Sequence, residues 1–331
     1  MQFYVRKSMK TVFILNPRAG KGHGIDRIKS EVMKAAEELS ADAGFYMTKS
    51  VGDAEIFAGL ASSEAVRKGE KLRLIACGGD GTLNEVINGA AGAVLTGSER
   101  GESLVSVGVV PTGTGNDFMR NFKDAGDYMD PRAQIKGGTL RCDLIRYTGM
   151  IDGREQSRFC ANMFNIGFDC NVVDMTAKVK EYPLMKGTLA YMASVLAILV
   201  KKKGAFLRIE ADGQVVHDGP VLLTAVANGC YCGGGVKGLP RASLTDGLMD
   251  LSIIYDVSRR EFLKKFPYYA RGTHLELPGV EEIISYRQCK DVTITPLDDT
   301  MRLCVDGEIY DAGPVHMRVI PSAIDIVVPA K

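Results

Sequence analysis

The chain has no tryptophan and four scattered histidines, His23, His217, His274 and His316, that make no ligand spacing. Its eight cysteines, at 77, 142, 160, 170, 230, 232, 289 and 304, include no Cys-x-x-Cys, so a structural zinc site is not expected. Most lie in apolar runs such as Ile75-Ala76-Cys77 and Leu303-Cys304-Val305, which suits buried, reduced thiols. Charge of one sign is also missing. Forty-one Lys+Arg against forty Asp+Glu leave +1, so no global field draws in nucleic acid, and attraction to a membrane has to come from a local patch. The longest apolar run, Leu189 to Val200, is shorter than the roughly 20 residues that span a bilayer. Met1-Gln2-Phe3-Tyr4-Val5-Arg6-Lys7 has no apolar h-region, so no secretion signal and a cytoplasmic location are expected. No Gly-x-x-x-x-Gly-Lys-Ser/Thr occurs, which excludes a P-loop. Internal repeats and low-complexity segments are absent too.

What is there centres on Cys77-Gly78-Gly79-Asp80-Gly81-Thr82-Leu83-Asn84-Glu85. Leu72 to Cys77 before it reads as a buried strand. Leu83, Val86 and Ile87 after it fall at helical spacing. A glycine-rich turn between strand and helix lets backbone approach a ligand, and the unpaired N–H groups of the first helical turn favour phosphate. Asp80 would repel a bare phosphate, but it makes sense if Mg²⁺ with a nucleotide lies between them. Asp-Gly is also a common hairpin turn, and the chain has six, at Asp80, Asp152, Asp212, Asp218, Asp246 and Asp306. Only the first sits in Gly-Gly-Asp-Gly-Thr.

With 331 residues, 46% of them hydrophobic, two domains are expected, divided as 1–137 and 138–331, with the last strands free to pack back on the first domain. The first half alternates. Thr11 to Leu15 is a strand ending in Asn16-Pro17-Arg18-Ala19-Gly20-Lys21. Ile28, Val32, Ala35, Ala36 and Leu39 follow at helical spacing. Gly44 to Thr48 is a second strand, and Asp53 to Val66 a helix with Ile56, Phe57 and Leu60 on one face. Leu104 to Val110 is a fourth strand, stopping at Pro111-Thr112-Gly113-Thr114-Gly115-Asn116-Asp117. This βα alternation predicts a parallel sheet with ligands beyond the carboxyl ends of its strands. Ala91 to Ser103 reads as a surface loop. From Thr139 onward, short alternating or apolar segments separated by Asp-Gly, Asn-Gly and Pro predict an antiparallel β-rich sandwich. Helices are expected at about 170–181, 186–201 and 258–270. The one from Lys186 to Lys203 suits a membrane face or a packed core, and core packing is favoured.

In order along the chain, Asn16-Pro17-Arg18-Ala19-Gly20, Gly78-Gly79-Asp80-Gly81-Thr82-Leu83-Asn84-Glu85, Pro111-Thr112-Gly113-Thr114-Gly115-Asn116-Asp117-Phe118 and Val305-Asp306-Gly307-Glu308 resemble the diacylglycerol kinase catalytic family, in its bacterial lipid kinase branch. The resemblance covers essentially the whole chain. It implies a phosphofructokinase-like nucleotide domain, a β-rich lipid-substrate domain and a site in the cleft between them. ATP would be lined by Asn16, Pro17, Arg18, Ala19, Gly20, Lys21, Thr48, Gly79, Asp80, Gly81, Thr82, Leu83, Asn84, Glu85 and Thr114, with Asp117 in the same polar network. Asp80 would hold Mg²⁺. Glu308 would be the general base that takes a proton from a lipid hydroxyl. On pattern alone Glu308 is an exposed hairpin glutamate; the resemblance reverses that reading. Asp143 and Lys186 also match polar positions, or are ordinary surface charges, and Asp117 alternatively caps a helix beginning near Phe118. Ser243, Asp246 and Leu248 resemble a second, structural Mg²⁺ loop.

The expected function is ATP- and Mg²⁺-dependent phosphorylation of a hydroxyl lipid such as diacylglycerol by a protein peripheral to the inner face of the membrane. A NAD kinase, which shares Gly-Gly-Asp-Gly-Thr, and a non-catalytic lipid-binding regulator are the alternatives. No nucleic-acid partner is expected, and a homodimer stays open.

Overall fold

A run of apolar residues in a strand is buried on both faces, and Thr11 to Leu15, apolar but for Thr11, behaves this way. In the computed structural model, which describes residues 9–19, 24–97, 103–123, 125–167 and 204–331, it forms β1 (Lys10–Leu15). Gly20, Lys21 and Lys186, and the helices expected at about 170–181 and 186–201, lie outside the described residues. The chain divides into two units. The first takes Met1–Asn116, Phe122–Cys142 and Ser322–Lys331; the second takes Asp117–Asn121 and Asp143–Pro321.

In the first unit β1 lies between β2 (Ala43–Met47) and β3 (Leu72–Gly78), and β3 pairs with β4 (Val105–Pro111), all parallel. Asp325 and Ile326, near the end of the long strand β15 (Glu308–Val328), pair in parallel with Ser106 and Val107 of β4. The intervening helices are α1 (Ile25–Leu39), α2 (Asp53–Lys68) and α3 (Asp80–Gly97), so the predicted alternation is observed. Phe13, Leu15, Val32, Ile75, Val110 and Val327 meet in one core.

Two expectations fail here. The face of α2 that carries Ile56 and Leu60 is not the buried one: these side chains are 65% and 70% exposed, while Ala54, Ala58, Ser62 and Ala65 are buried. The cause is a close crossing with α3. A Cβ placed on Gly89 would lie 2.3 Å from the Glu55 carbonyl oxygen and 2.8 Å from the Gly59 nitrogen, so only small residues fit the seam. Nor is Ala91 to Ser103 a loop throughout. Its first part continues α3 to Gly97, with Ala91 and Val94 buried.

One buried charge supports this unit. The Arg73 guanidinium donates to the carbonyls of Gln134, Ile135 and Gly137 at 2.6, 2.7 and 2.8 Å, at the end of the short helix α4 (Pro131–Lys136). Burial lowers its pKa, while the carbonyl end of a helix favours a cation.

The second unit is antiparallel and β-rich. Its main strand order is β12 (Ile284–Cys289), β11 (Met249–Ile254), β10 (Leu223–Ala227), β7 (Met163–Gly167), β14 (Met301–Val305), then the first part of β15. β13 (Asp291–Pro296) joins β15 to the hairpin of β8 (Ala205–Ala211) and β9 (Gln214–Val221). β5 (Gly138–Ile151) pairs with β15 and with β6 (Arg154–Cys160). Tyr147, Phe164, Ile209, Leu251, Ile294 and Leu303 fill the core. The helix expected at 258–270 is α5 (Arg259–Arg271), capped by the Ser258 hydroxyl on the Glu261 amide.

Three of the six Asp-Gly pairs are hairpin turns with positive φ at both residues: Asp152-Gly153, Asp212-Gly213 and Asp306-Gly307. Asp218-Gly219 lies inside β9, and Asp80-Gly81 opens α3. The seven described cysteines carry thiols, and all but Cys230 are buried.

Candidate functional site

The carboxyl ends of the parallel strands bring the glycine turns of the first unit together. Gly79 follows β3 and Gly113 follows β4, and a Cβ on Gly113 would lie 2.5 Å from the Gly79 Cα. The Thr112 amide donates to the Gly78 carbonyl at 2.9 Å, which holds the two turns side by side. Asn116, at φ 54°, closes the second turn by donating from Nδ2 to the Gly113 carbonyl at 2.9 Å. Two bare backbones in contact ahead of a helix N-terminus form a surface that a polyphosphate can approach closely.

The first motif is tied to the second by side chains. Asn16 Nδ2 donates to Thr82 Oγ1 at 2.9 Å, and Asn16 Oδ1 accepts the Arg18 amide at 2.9 Å. Pro17 and Ala19 are half-buried in the same turn, and Arg18 is exposed. Thr48, at the end of β2, is bound through its amide and hydroxyl to the Leu15 carbonyl. Asp80 and Gly81 are half-buried in the first turn of α3, and Thr114 is exposed. The remaining residues of the central motif serve the scaffold as well. Leu83 is buried. Asn84 accepts the Asn88 side-chain amide on both its carbonyls. Glu85 accepts the amides of Gly52 and Ala54 at 3.0 and 3.2 Å, so its carboxylate fixes the start of α2.

The second unit carries the other expected residues. Glu308 is the exposed first residue of β15, opposite Val305 across the Asp306-Gly307 turn. Sequence reasoning placed Asp306 in its turn and motif but gave it no anchoring role. Its carboxylate accepts the amides of Ala161, Asn162 and Met163 at 3.1, 3.1 and 3.0 Å, and Cys160 Sγ donates to it at 3.1 Å. The Glu308 turn is thereby fastened to the start of β7. Tyr310 stands nearby; burial, and then the Glu308 carboxylate, raise its pKa.

The 161–163 segment leads on to a second loop. The amides of Asn228 and Gly229 donate to the Asn162 carbonyl at 2.8 and 3.0 Å, and Asn162 Nδ2 donates to the Tyr231 carbonyl at 2.8 Å. Asn121 Oδ1 accepts the Cys230 amide at 2.9 Å. Asp117 is 8% exposed and accepts the Gly234 amide at 2.9 Å while pairing with Arg120 at 3.4 Å. Residues Phe118–Asn121 make a single 3₁₀ turn, and Asp117, just before it, braces this loop. Asn-Gly at 228–229 was the one sequence signal for the loop; its partners lie too far away in sequence to be read.

Asp143 is no surface charge. It is buried and accepts the Gly247 amide at 2.7 Å, which steadies the loop proposed as a structural metal site. Within that loop Asp246 accepts the Leu248 amide at 3.1 Å and the Gln288 side-chain amide at 3.3 Å, and Ser243 Oγ accepts the Thr245 amide at 3.4 Å. Among the described residues no group of three His, Cys, Asp or Glu gathers as a metal site, and the loop offers one carboxylate.

Comparison with known proteins covers both parts of the chain. Residues 10–147 match the diacylglycerol kinase catalytic domain, and residues 162–328 match the YegS C-terminal NAD kinase beta sandwich-like domain. A diacylglycerol kinase of Staphylococcus saprophyticus is 30% identical over 329 residues, covering 98% of this chain and 96% of the relative. One from Staphylococcus carnosus is 29% identical over 327 residues, covering 98% and 96%. The crystal structure of a diacylglycerol kinase from Bacillus anthracis superposes with a TM-score of 0.66 at 19% identity, over 98% of both chains, and shares the fold. With both domains matched in family order, the chain belongs to the diacylglycerol kinase catalytic family, a group of lipid kinases.

Proposed function

We propose that the chain is an ATP- and Mg²⁺-dependent lipid kinase that phosphorylates a hydroxyl of a membrane lipid such as diacylglycerol. The observation that carries this reading is the meeting of Gly79 with Gly113, beside the Asn16–Thr82 bond, at the start of α3. These turns, with Pro17, Arg18, Ala19, Thr48 and Thr114 around them, would hold the nucleotide. Asp80 would hold the Mg²⁺ that accompanies it. Bound there, the metal nucleotide supplies the phosphoryl group and neutralises charge on its oxygens.

Glu308 takes the proton from the lipid hydroxyl as that oxygen bonds to phosphorus and the bond to the diphosphate oxygen breaks. A carboxylate that must accept a proton from an incoming alcohol has to be accessible, and Glu308 is exposed. Its main chain is held by the Asp306 clamp, so the base is steadied without its own carboxylate being spent. Positioning of this kind supplies much of the rate in phosphoryl transfer. The structural Mg²⁺ loop is assigned to Asp246, with the backbone of Ser243 and Leu248. Its support is the bond from Gly247 to buried Asp143.

The test incubates the chain with Mg²⁺ and labelled ATP over lipid alcohols in mixed micelles, with NAD as a separate acceptor. Label is expected in a lipid, and Glu308→Gln is expected to lower kcat by about 10²- to 10⁴-fold without changing ATP affinity. Asp80→Asn is expected to lower transfer and raise the Mg²⁺ requirement. Label in NAD alone would transfer the chain to the NAD kinases. Unchanged turnover in Glu308→Gln would remove the base assignment.

A further inference from the structure

This inference rests on the lipid-kinase reading and concerns how the chain meets its substrate's bilayer. α5 is amphipathic in an unusual sense. Its inner side, Phe262, Phe266 and Tyr269, packs into the second unit. Its outer side repeats at i, i+3, i+4, i+7, i+8 and i+11 as Arg260, Leu263, Lys264, Pro267, Tyr268 and Arg271, and every one of these is exposed. Cations and apolar groups therefore alternate along one face. Leu263 is 46% exposed and Tyr268 41%, and the Arg271 guanidinium lies 5.6 Å from the Tyr268 ring centre.

No acidic residue falls on that face. The helix also carries Arg259 and Lys265, and its single acid, Glu261, pairs with Lys265 at 3.6 Å on the flank. Further acids, Asp256 before the helix and Glu276, Glu281 and Glu282 on the 3₁₀ turns after it, lie outside the helix itself. A lone exposed leucine needs no explanation, but Leu263 and Tyr268 interleaved with cations have the composition of a helix that lies in a lipid interface: stems and rings at headgroup depth, charges among the headgroups.

The underside of α5 adds a second observation. It roofs a narrow apolar pocket of about 50 Å³, with Leu222, Val257, Phe266, Leu277 and Ile283 on its walls. His274 also lines it. Burial pushes that imidazole down to about 4, so at neutral pH it adds no charge. A helix that presents cations outward over a pocket that is apolar but for the paired Glu261 and Lys265 suits a partner that is anionic at its surface and apolar beneath.

We propose that the outer face of α5 docks on an anionic lipid surface. A nucleic acid would use the cations and leave Leu263 and Tyr268 without a role; a bilayer uses both.

The full chain is sedimented with vesicles of phosphatidylcholine alone and of phosphatidylcholine mixed with phosphatidylglycerol. Binding is expected to the mixed vesicles and to weaken with salt. Arg260→Glu with Lys264→Glu is expected to lower partitioning by ~25-fold or more, at about 1 kcal/mol per cation. Transfer to a short-chain diacylglycerol dispersed as monomers is expected to stay at the wild-type rate. Leu263→Ala with Tyr268→Ala is expected to lower the binding that persists at high salt. Equal partitioning by the charge-reversed and wild-type chains overturns the proposal, as does failure of the wild type to prefer anionic vesicles. Binding to a DNA duplex in place of vesicles, lost in the same variant, overturns it too. Vesicle binding without transfer to any dispersed lipid alcohol would end the kinase reading and leave the docking face standing. Transfer without vesicle preference would do the reverse.

Discussion

At the residue scale, the two acids of Asp306-Gly307-Glu308 divide their work. Glu308 is exposed, as the proposed base must be, whereas Asp306 gathers three main-chain amides and a thiol. Hydrogen bonds to a charged group are stronger than neutral ones, and an amide left without its acceptor costs more than the bond alone. Asp306→Ala is therefore expected to destabilise the second unit by about 2–4 kcal/mol and to lower kcat with it. Asp306→Asn keeps an acceptor and should recover most of the stability. Urea unfolding read beside kcat checks this, since Glu308→Gln should lower kcat with an unchanged midpoint. The same device recurs in the other two Asp-Gly hairpins. Asp152 accepts the Asp311 amide at 2.9 Å, and Asp212 accepts the amides of Lys290 and Asp291 at 2.9 and 3.0 Å. In each case the aspartate makes the turn and also anchors it to a neighbouring strand.

At the scale of elements, the seam between α2 and α3 is set by what is missing from it. Gly59 and Gly89 let two helix backbones touch, and Glu85 ties the start of α2 to α3. Gly89→Ala is expected to push the helices apart, costing about 1–3 kcal/mol as overpacking does, with a fall in thermal midpoint. If the midpoint holds, the seam is looser than its geometry implies. This crossing also explains why Ile56 and Leu60 misled sequence reading. Hydrophobic periodicity finds a face when large residues pack, and it fails when a close approach selects alanine and glycine. The strands and glycine turns of the first unit were legible because each is local: an apolar run followed by Gly or Pro. Asn16, Gly79 and Gly113 could be named from the motifs, but not the Asn16–Thr82 bond between them. Arg73 was hidden in an otherwise apolar strand, and its purpose appears only when α4 brings three carbonyls to it. The Asp306 clamp was illegible for the same reason, since its partners lie about 145 residues earlier.

At the scale of the molecule, neither unit is a continuous piece of chain. β15 begins in the second unit with Glu308, and its last residues belong to the first. There Asp325 and Ile326 pair with β4, Asp325 lies 3.6 Å from Arg141, and Val327 is buried in the core. Beyond the strand the Ala330 amide donates to the Ala133 carbonyl at 2.9 Å, and Gly126 donates to Pro329 at 2.9 Å. Removing residues 322–331 is expected to unfold the first unit and, with it, to abolish the ATP binding proposed there, although the second unit keeps all of its own residues. Circular dichroism with a nucleotide-binding assay reads both. A truncated chain that still binds ATP at the original affinity would make the strand dispensable. The position of that strand also sets a timetable for synthesis. β4 leaves the ribosome about two hundred residues before its neighbour does, a delay of roughly 10–40 s at ordinary elongation rates. During that interval one edge of the nascent sheet stays open, an invitation to the wrong neighbour that only the end of β15 can close.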